Sequence, residues 1–109
     1  MNASERFAPL RKGLLEFAVL SVISAHEAYA ADILATLSKT DFQTQEGTLY
    51  PLLSKLRRDG LLEYEWRESE NGPPRKYYSL TEKGTSELAA ADKYWKELIT
   101  TLTSLRKTR

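Results

Sequence analysis

Side chains that could contact a nucleic acid are concentrated between residues 44 and 81 of this sequence. The stretch contains an amphipathic helical pattern that ends in Arg57 and Arg58, then two runs rich in β-forming residues, the second of which begins with Arg75 and Lys76. Arginine and lysine neutralise phosphate groups, and an α-helix or a two-stranded ribbon fits the major groove of DNA. A helix that leads into a basic hairpin is the element order of a winged helix.

The helix predicted over residues 45–59 has a leucine stripe on one face and a polar face that could read bases. Its candidates for DNA contact are Gln45, Thr48, Tyr50, Ser54, Lys55, Arg57 and Arg58. Amide and hydroxyl groups can recognise base edges, at about 1 to 3 kcal/mol for a well-placed contact. The alternatives are that these are ordinary solvent-facing residues, that the basic pair only complements the helix macrodipole, and that Tyr50 packs under the hairpin.

The second basic pair, Arg75 and Lys76, follows the segment Gly72-Pro73-Pro74. We expect residues 69–74 to form a turn between strands over residues 61–68 and 75–80, because the composition of this link is typical of turns. On such a hairpin, the two side chains would belong to a basic wing. The alternative interpretation is that they protect a strand edge against aggregation.

The composition excludes several classes of protein. The chain has 109 residues, of which 41% are hydrophobic and 28% charged, with one histidine, His26, and no cysteine. Disulfides, thiolate zinc sites and cysteine nucleophiles are therefore excluded. A single histidine supplies neither a metal site nor a nucleophile, base and orienting group, and no glycine-rich phosphate loop is present. We expect no enzymatic activity, no metal and no other cofactor.

The sequence predicts neither a membrane span nor a secretory signal. The longest apolar run near the N-terminus, residues 13–25, is interrupted by Glu16 and is too short to cross a bilayer, and it lacks a signal-peptide cleavage pattern. We therefore expect a cytoplasmic protein. The net charge is only +1, and residues 1–80 carry 10 basic and 11 acidic side chains, so positive charge that meets DNA must be arranged locally.

Two helices are predicted ahead of the DNA-facing helix. The first, residues 9–25, is apolar over most of its surface and should be the buried central helix. Arg11, Lys12 and Glu16 mark its solvent-exposed side. The second covers residues 29–38. The polar turn after it can cap the third helix with Thr40, Asp41 or Thr44, and Gly60 should end that helix.

A last helix is predicted over residues 82–106, capped by Thr81, with Gly84 as a weak point near its start. Apolar side chains recur along it at spacings of three and four: Leu88, Ala91, Trp95, Leu98, Leu102 and Leu105. Such a seam is typical of a coiled coil, and we expect a second copy of the chain to cover it about a two-fold axis. The alternative is that the helix folds back as ordinary core.

A two-fold dimer would set two DNA-facing helices about one turn of DNA, roughly 34 Å, apart, and its operator would be a pseudo-palindrome. Trp95 lies on the seam, where an indole is most often a packing anchor. Facing its symmetry mate, it could alternatively form a clamp for a planar aromatic ligand. The predicted fold is mainly α with a small β-hairpin. It comprises a winged helix-turn-helix DNA-binding domain over residues 1–80 and a C-terminal dimerisation helix over residues 81–109.

The sequence also resembles the PadR family of bacterial transcriptional regulators over nearly its whole length. The resemblance is carried by residues 11–15 (RKGLL), 47–56 (GTLYPLLSKL), 59–62 (DGLL) and 72–84 (GPPRKYYSLTEKG). A single final helix bearing Trp95 is similar to the small branch of that family. One departure is Ala30, where the family often has glycine at the start of the second helix, which affects the local turn.

The resemblance implies a homodimeric winged-helix repressor whose third helix enters the major groove and whose wing contacts the backbone or the minor groove. Such regulators often respond to small aromatic compounds, in some members bound between the final helices. By position in the motifs, Thr48 and Tyr50 take DNA-facing roles, Arg75 and Lys76 take wing roles, and Trp95 takes the role of the aromatic residue at the dimer centre.

Two hypotheses of function follow. The first is a sequence-specific regulator of transcription, a repressor relieved by a small ligand, whose partner is double-stranded DNA. Its expected DNA contacts are Arg11, Lys12, Gln45, Thr48, Tyr50, Ser54, Lys55, Arg57, Arg75 and Lys76. The second is a winged-helix module that binds an acidic protein partner without specific DNA recognition. The near-neutral charge of residues 1–80 leaves the second hypothesis open.

Overall fold

The computed structural model describes residues 3–107, which form five helices and one antiparallel pair of strands. The elements are α1 (Ala3–Arg6), α2 (Ala8–Ala25), α3 (Ala30–Leu37), α4 (Glu46–Arg58), β1 (Leu62–Ser69), β2 (Gly72–Leu80) and α5 (Glu82–Leu105). The predicted fold class, mainly helical with a hairpin, is confirmed. The short helix α1 was not predicted.

The core lies where α2, α3 and α4 pack together and against the hairpin. Its largest fully buried side chains are Val19, Leu20, Ile33, Leu49, Leu53 and Leu56. Leucine stripes at helical spacing therefore form the interior, as the periodicity predicts. This packing holds the exposed face of α4 in a set orientation relative to the hairpin.

Helix α2 departs from the prediction of a buried central helix. Its C-terminal half supplies Val19, Leu20 and Ile23 to the core. Near its N-terminus, however, Leu10 is 59% exposed, and Phe7 just before it is 53% exposed. The prediction fails there because no other element among the described residues covers that end of α2.

The hairpin turn is shorter than the composition predicts. Strand β1 runs to Ser69 and β2 starts at Gly72, which pair with each other, so the turn is only Glu70 and Asn71. Pro73 and Pro74 lie in β2, where the register shifts. Proline has no amide hydrogen to donate to a strand ladder, and a register irregularity at such a position is the usual accommodation.

An isolated β-bridge joins the hairpin to the connection between α2 and α3. Ala28, between α2 and α3, pairs with Tyr78: the Ala28 amide donates to the Tyr78 carbonyl at 3.2 Å, and the Ala28 carbonyl accepts the Tyr78 amide at 2.8 Å. An isolated two-stranded hairpin is marginal in water. This bridge and the packing of β1 on α4 give the hairpin a fixed base.

Helix α4 ends as predicted but begins differently. Gly60 has φ +80°, its amide donates to the Arg57 carbonyl, and the Leu61 amide donates to the Leu56 carbonyl, both at 3.0 Å. These two bonds form a Schellman motif.

At the other end, Gln45 is the N-cap residue and makes no side-chain capping bond. The prediction that Thr40, Asp41 or Thr44 caps α4 is therefore wrong. The Thr40 hydroxyl instead stabilises its own turn, where it accepts the Phe42 amide at 3.0 Å and donates to the Leu37 carbonyl at 2.8 Å. Local side-chain bonds of this kind compete with helix capping.

The start of α5 is bonded to the end of α4. The Thr81 hydroxyl accepts the amide of Gly84 at 3.0 Å, as the predicted cap, and donates to the carbonyl of Gly60 at 2.6 Å. Nearby, Lys83 Nζ donates to the carbonyl of Asp59 at 2.8 Å. Two carbonyls just past the end of α4 thus accept hydrogen bonds from residues at the start of α5.

Candidate nucleic-acid interface

Helix α4 presents the predicted DNA-facing side chains to solvent. Its buried face is made by Leu49, Leu53 and Leu56, each 0% exposed. The exposed residues include Gln45, Thr48, Tyr50, Ser54, Lys55, Arg57 and Arg58. Tyr50 is 52% exposed, so it does not pack away under the hairpin. Nothing in the described part of the chain covers this face of α4.

Thr48 and Tyr50 flank α4 on opposite sides. They are two positions apart on a helix with 3.6 residues per turn, so their side chains point about 200° apart around the helix axis. Thr48 faces a groove shared with α2, whereas Tyr50 faces a groove shared with the hairpin. The exposed face of α4 therefore lies between two grooves.

The groove on the hairpin side has a volume of about 420 Å³ and collects four of the predicted DNA contacts. Its lining includes Tyr50 and Ser54 from α4, Arg75 and Lys76 from β2, and the aromatic rings of Tyr29, Trp66 and Tyr78. The four predicted contacts come from two separate elements, the wing and the helix. The structure brings all four to one groove.

Both basic side chains of β2 lie over aromatic rings. Lys76 Nζ is 4.5 Å from the ring centroid of Tyr64 and 5.4 Å from that of Trp66, and Arg75 Cζ is 4.4 Å from that of Tyr29. A cation over an aromatic face is attracted by the ring's electron density and loses rotational freedom. These charges are therefore held at the groove before any ligand arrives.

The groove on the α2 side has a volume of about 270 Å³ and is also basic in part. Arg11 and Lys12 from α2 line it together with Thr48 from α4, and Asp41 supplies one acidic group. The two basic residues were candidates only because of their place in the RKGLL motif. Between them and Thr48, the groove is lined by Asp41, Phe42 and Gln43 of the loop that precedes α4.

Lys55 is a predicted contact that the protein already neutralises in part. Its Nζ lies 3.0 Å from Asp59 Oδ2 and 3.4 Å from Glu16 Oε2. The hydrogen bond to Asp59, followed by the charge of Glu16, raises the pKa of Lys55 above its usual value. The side chain is exposed, so a phosphate could replace these carboxylates. Gln45 lines neither of the two grooves.

Two arginines near the hairpin have different surroundings. Arg57 of α4 lies with its Cζ 4.9 Å from the ring centroid of Tyr64. Arg67, which was not predicted as a contact, is paired with Glu27 and donates from Nε to Glu65 at 2.7 Å. We therefore assign Arg67 to holding β1 against the connection between α2 and α3.

The acidic side chains of β1 are separated from the groove on the hairpin side. Glu63 and Glu65 of β1 line a separate groove with Glu27, Tyr77 and Ser79. In β1, Glu63 and Glu65 alternate with Tyr64 and Trp66, so the two sets occupy opposite faces of the hairpin. The near-zero charge of the whole chain thus hides a local separation of charge.

The predicted seam of α5 divides into a covered part and an exposed part. Leu88 packs against the core, and Ala91 is 7% exposed, so both are covered within one chain. Trp95 is half-buried and meets Phe17 of α2 edge to face, with ring centroids 5.4 Å apart.

Beyond Trp95, the apolar side chains of α5 are uncovered. Leu98 is 38% exposed, Leu102 50% and Leu105 63%. Tyr94 and Ile99, at 56% and 64% exposed, enlarge this surface although the predicted seam omits them. We call Tyr94, Leu98, Ile99, Leu102 and Leu105 the exposed face of α5.

Two aromatic residues of these sites were not predicted from the sequence. Trp66 lines the groove on the hairpin side, and its alternation with Tyr64 in β1 was the available signal. Phe17 lies against Trp95, and its place on the apolar stripe of α2 could not show which helix it would meet. Contacts between elements distant in sequence are not encoded in a local period.

The residues that the structure describes contain no group of three or more His, Cys, Asp or Glu side chains placed to hold a metal ion. Within residues 3–107, no helix combines the length and the apolar character needed to cross a membrane.

Comparisons with known proteins agree with this geometry. Residues 19–90, which include α3, α4 and the hairpin, match the model of the transcriptional regulator PadR-like family. A transcriptional regulator of Mycobacterium tuberculosis is 32% identical over 80 residues, which cover 73% of this chain and 74% of that protein.

Two solved structures are similar over nearly the whole chain. A PadR-like transcription factor from Bacteroides fragilis is 46% identical with a TM-score of 0.80, covering 93% of this chain and 98% of its own. A PadR family transcriptional regulator from Eggerthella lenta is 32% identical with a TM-score of 0.84, covering 97% of this chain and 93% of its own.

Proposed function

Since the chain belongs to the PadR-like family of transcriptional regulators, we propose that it acts as a homodimeric repressor that releases its operator when a small aromatic ligand binds. The family assignment confirms the resemblance carried by the sequence motifs. Because the family consists of transcriptional regulators, it also confirms the expectation that the chain is not an enzyme. Membership of the family implies regulation of transcription through DNA binding. We propose in addition the dimer, the repression and the response to a ligand.

The observation that supports DNA recognition most directly is the position of α4 between two partly basic grooves. Arg11 and Lys12 lie on one side, and Arg75 and Lys76 lie on the other. The two phosphate backbones of a duplex border its major groove in the same way. We propose that α4 enters the major groove while the two basic pairs contact phosphates on either side.

Within this arrangement, base reading belongs to the uncharged side chains of α4. Gln45, Thr48, Tyr50 and Ser54 carry amide or hydroxyl groups on or beside the exposed face. Lys55 and Arg57 border that face and would contact phosphates. Backbone contacts fix orientation and affinity, whereas contacts to base edges give sequence preference.

The exposed face of α5 supports the dimer. Its five apolar side chains are each at least 38% exposed in the single chain. Helix α5 packs against α2, with Trp95 beside Phe17 and Leu88 near Ile23. The two helices are therefore antiparallel, and exposed Leu10 of α2 lies toward the same end of the molecule as Leu102 of α5. A second copy related by a two-fold axis would bury Leu10 and the exposed face of α5 together. Residues 1–80 would then read DNA, and residues 81–109 would set the spacing.

The surroundings of Trp95 support a ligand site at the dimer centre. Its indole has aromatic neighbours, Phe17 at 5.4 Å and Tyr94 at 5.6 Å between ring centroids. Edge-to-face contacts of this kind leave indole surface open to a flat ring. We propose that a planar aromatic compound binds against Trp95 and its symmetry mate, and that this alters the separation of the two α4 helices.

The alternative function, a protein-interaction module without specific DNA binding, is less well supported. The two grooves beside α4 carry basic groups that would also attract an acidic protein. The family membership and the separation of Glu27, Glu63 and Glu65 from the interface favour a duplex.

A duplex selected from a random DNA pool by the wild-type protein would test the proposal. We expect enrichment of a pseudo-palindrome, protection of two half-sites about one helical turn apart, and two chains per duplex. The affinity should fall steeply with salt, because several phosphates are neutralised. Lys93→Ala, a change of an exposed residue in the middle of α5, is the matched control and should leave binding unchanged. Failure to enrich any sequence, or binding insensitive to salt, would contradict the proposal.

A further inference from the structure

The indole of Trp66 occupies an unusual position in the hairpin. It is 61% exposed, although tryptophan is highly buried on average in folded proteins. It lies in β1 opposite Lys76 of β2, with its ring edge-on to Tyr64 at a centroid distance of 6.2 Å. Its neighbours therefore hold it beside the groove that α4 shares with the hairpin.

The indole N–H of Trp66 has no hydrogen-bond acceptor among residues 3–107 of the chain. A tryptophan side chain offers one donor and no acceptor, and this mostly exposed side chain can offer its donor to water or to a ligand. A single exposed aromatic residue on a protein surface is ordinary. Trp66 differs because the same groove is also lined by two cationic side chains, a serine and three tyrosines.

We propose that Trp66 contacts the sugar–phosphate backbone of the operator, with its ring against deoxyribose and its N–H donating to a phosphate oxygen. The inference rests on the DNA binding proposed above and adds an uncharged backbone contact to it. The occupant is DNA rather than a protein or a membrane because Trp66 shares its groove with the base-facing residues Tyr50 and Ser54.

Charge complementarity supports the same occupant. Lys76 lies over the Trp66 ring and Arg75 lines the same groove, so a phosphate near the indole would also be within a positive field. Glu63 and Glu65 occupy the opposite face of the hairpin. An approach with that face toward DNA would bring carboxylates to phosphates, so the aromatic face is the one that DNA can meet.

The interaction has a signature that separates it from those of the neighbouring cations. Removal of an uncharged group releases no counterion, so Trp66→Ala should lower affinity while the slope of log affinity against log salt stays the same. Lys76→Ala should lower affinity and reduce that slope by about one for each phosphate that is no longer neutralised. A merely structural role for Trp66 would not move the affinity of a protein that remains folded.

The experiment uses full-length protein and the duplex selected by the wild type. In a Trp95→Phe background, Trp66 is the single tryptophan, and we expect its emission to change on DNA binding. Trp66→Ala should weaken binding by about 10-fold or more, and Trp66→Phe, which keeps a ring but loses the donor, by about 3- to 10-fold. Glu63→Gln, an exposed change on the opposite face, should bind at least as tightly as the wild type.

Thermal melting of each variant establishes that it is folded, which we expect because Trp66 is mostly exposed. If folded Trp66→Ala binds the selected duplex as tightly as the wild type and the emission of Trp66 does not respond to DNA, the inference is wrong while the proposed function stands. If the wild type selects no duplex, both the inference and the proposed function are wrong.

Discussion

Gly84 at the start of α5 lies against the carbonyl group of Leu61, so closely that a Cβ on Gly84 would be 2.1 Å from the Leu61 oxygen. No residue with a side chain fits there unless the backbone moves. From the sequence alone, this glycine was expected to be a weak point in a helix. It is the position at which α5 can approach the chain that leaves α4.

Gly84→Ala should therefore lower the free energy of unfolding. Overpacking typically costs about 1 to 3 kcal/mol, and the clash here is with backbone rather than with a flexible side chain. Denaturant unfolding of both proteins measures the effect. Gly13→Ala is the matched control: it lies in α2 with nothing within 4 Å of the added methyl group, and it should stabilise the protein by about 0.5 to 1 kcal/mol. Equal stability of Gly84→Ala and the wild type would show that this junction can relax.

Substitutions on α4 and on the hairpin should affect DNA binding differently. Thr48→Ala removes a hydroxyl from the α4 face and should change base preference at one position of each half-site. Arg75→Ala should weaken binding to all sequences alike and reduce the salt dependence. Repeating the duplex selection and the salt titration with each variant measures both effects. If Thr48→Ala weakens binding to all sequences equally, Thr48 does not contact a base.

A charge on the exposed face of α5 should break the proposed dimer. Leu102→Glu places a carboxylate on a surface that two chains would bury, so sedimentation should show a monomer with weakened operator binding. Thr100→Glu carries the same charge to the other side of α5 and should leave the dimer intact. If Leu102→Glu remains dimeric, the chains associate through another surface.

Planar aromatic compounds should quench the emission of Trp95. The measurement is clearest in Trp66→Phe, in which Trp95 is the single tryptophan. Compounds that quench it should also weaken operator binding, as expected for ligand-relieved repression. The complementary variant Trp95→Ala retains Trp66. Quenching that persists in it at the same ligand concentration would reject the site.

The phenol of Tyr78 should ionise at a higher pH than an ordinary tyrosine. Burial raises the pKa of Tyr78, charge repulsion from Tyr50 and Tyr64 acts in the same direction, and the positive charge of Arg57 opposes them. The folded protein then holds this proton more tightly than the unfolded chain does. Its contribution to stability is complete below about pH 10, the unfolded value, and is lost as pH rises through the folded pKa.

Comparison with Tyr78→Phe isolates this effect, since both proteins contain the same other titratable groups. The wild type should lose stability more steeply than the variant above about pH 10. Parallel curves would mean that the phenol ionises alike in both states.

Local features of the sequence account for the elements but not for their contacts. The leucine period predicts α4, Gly60 ends it with a positive φ, and Thr81 caps α5, because each depends on neighbours within four or five residues. The Gly-Pro-Pro segment misleads, because its composition signals a turn while strand pairing carries it into β2. The pairing of strands is decided by the opposite strand as well as by the local sequence.

The candidate site shows the same division. The polar face of α4 and the basic residues of the hairpin follow from alternation and helical spacing. The placement of Arg11, Lys12 and Thr48 around one groove depends on the tertiary fold, which no local pattern contains. The covering of Leu88 and Ala91 by their own chain also depends on tertiary packing, whereas the period alone treats all six seam positions alike.

Hydrogen bonds from Thr81 to Gly60 and from Lys83 to Asp59 join the start of α5 to the end of α4. Helix α5 has 24 residues and is therefore about 36 Å long. In the proposed dimer, the partner chain would hold the far end of α5, and a tilt of about 5° would displace the near end, and α4 with it, by about 3 Å. That is close to the roughly 3.4 Å step between base pairs. A ligand that tilts α5 by a few degrees would thus shift α4 along the duplex by about one base-pair step.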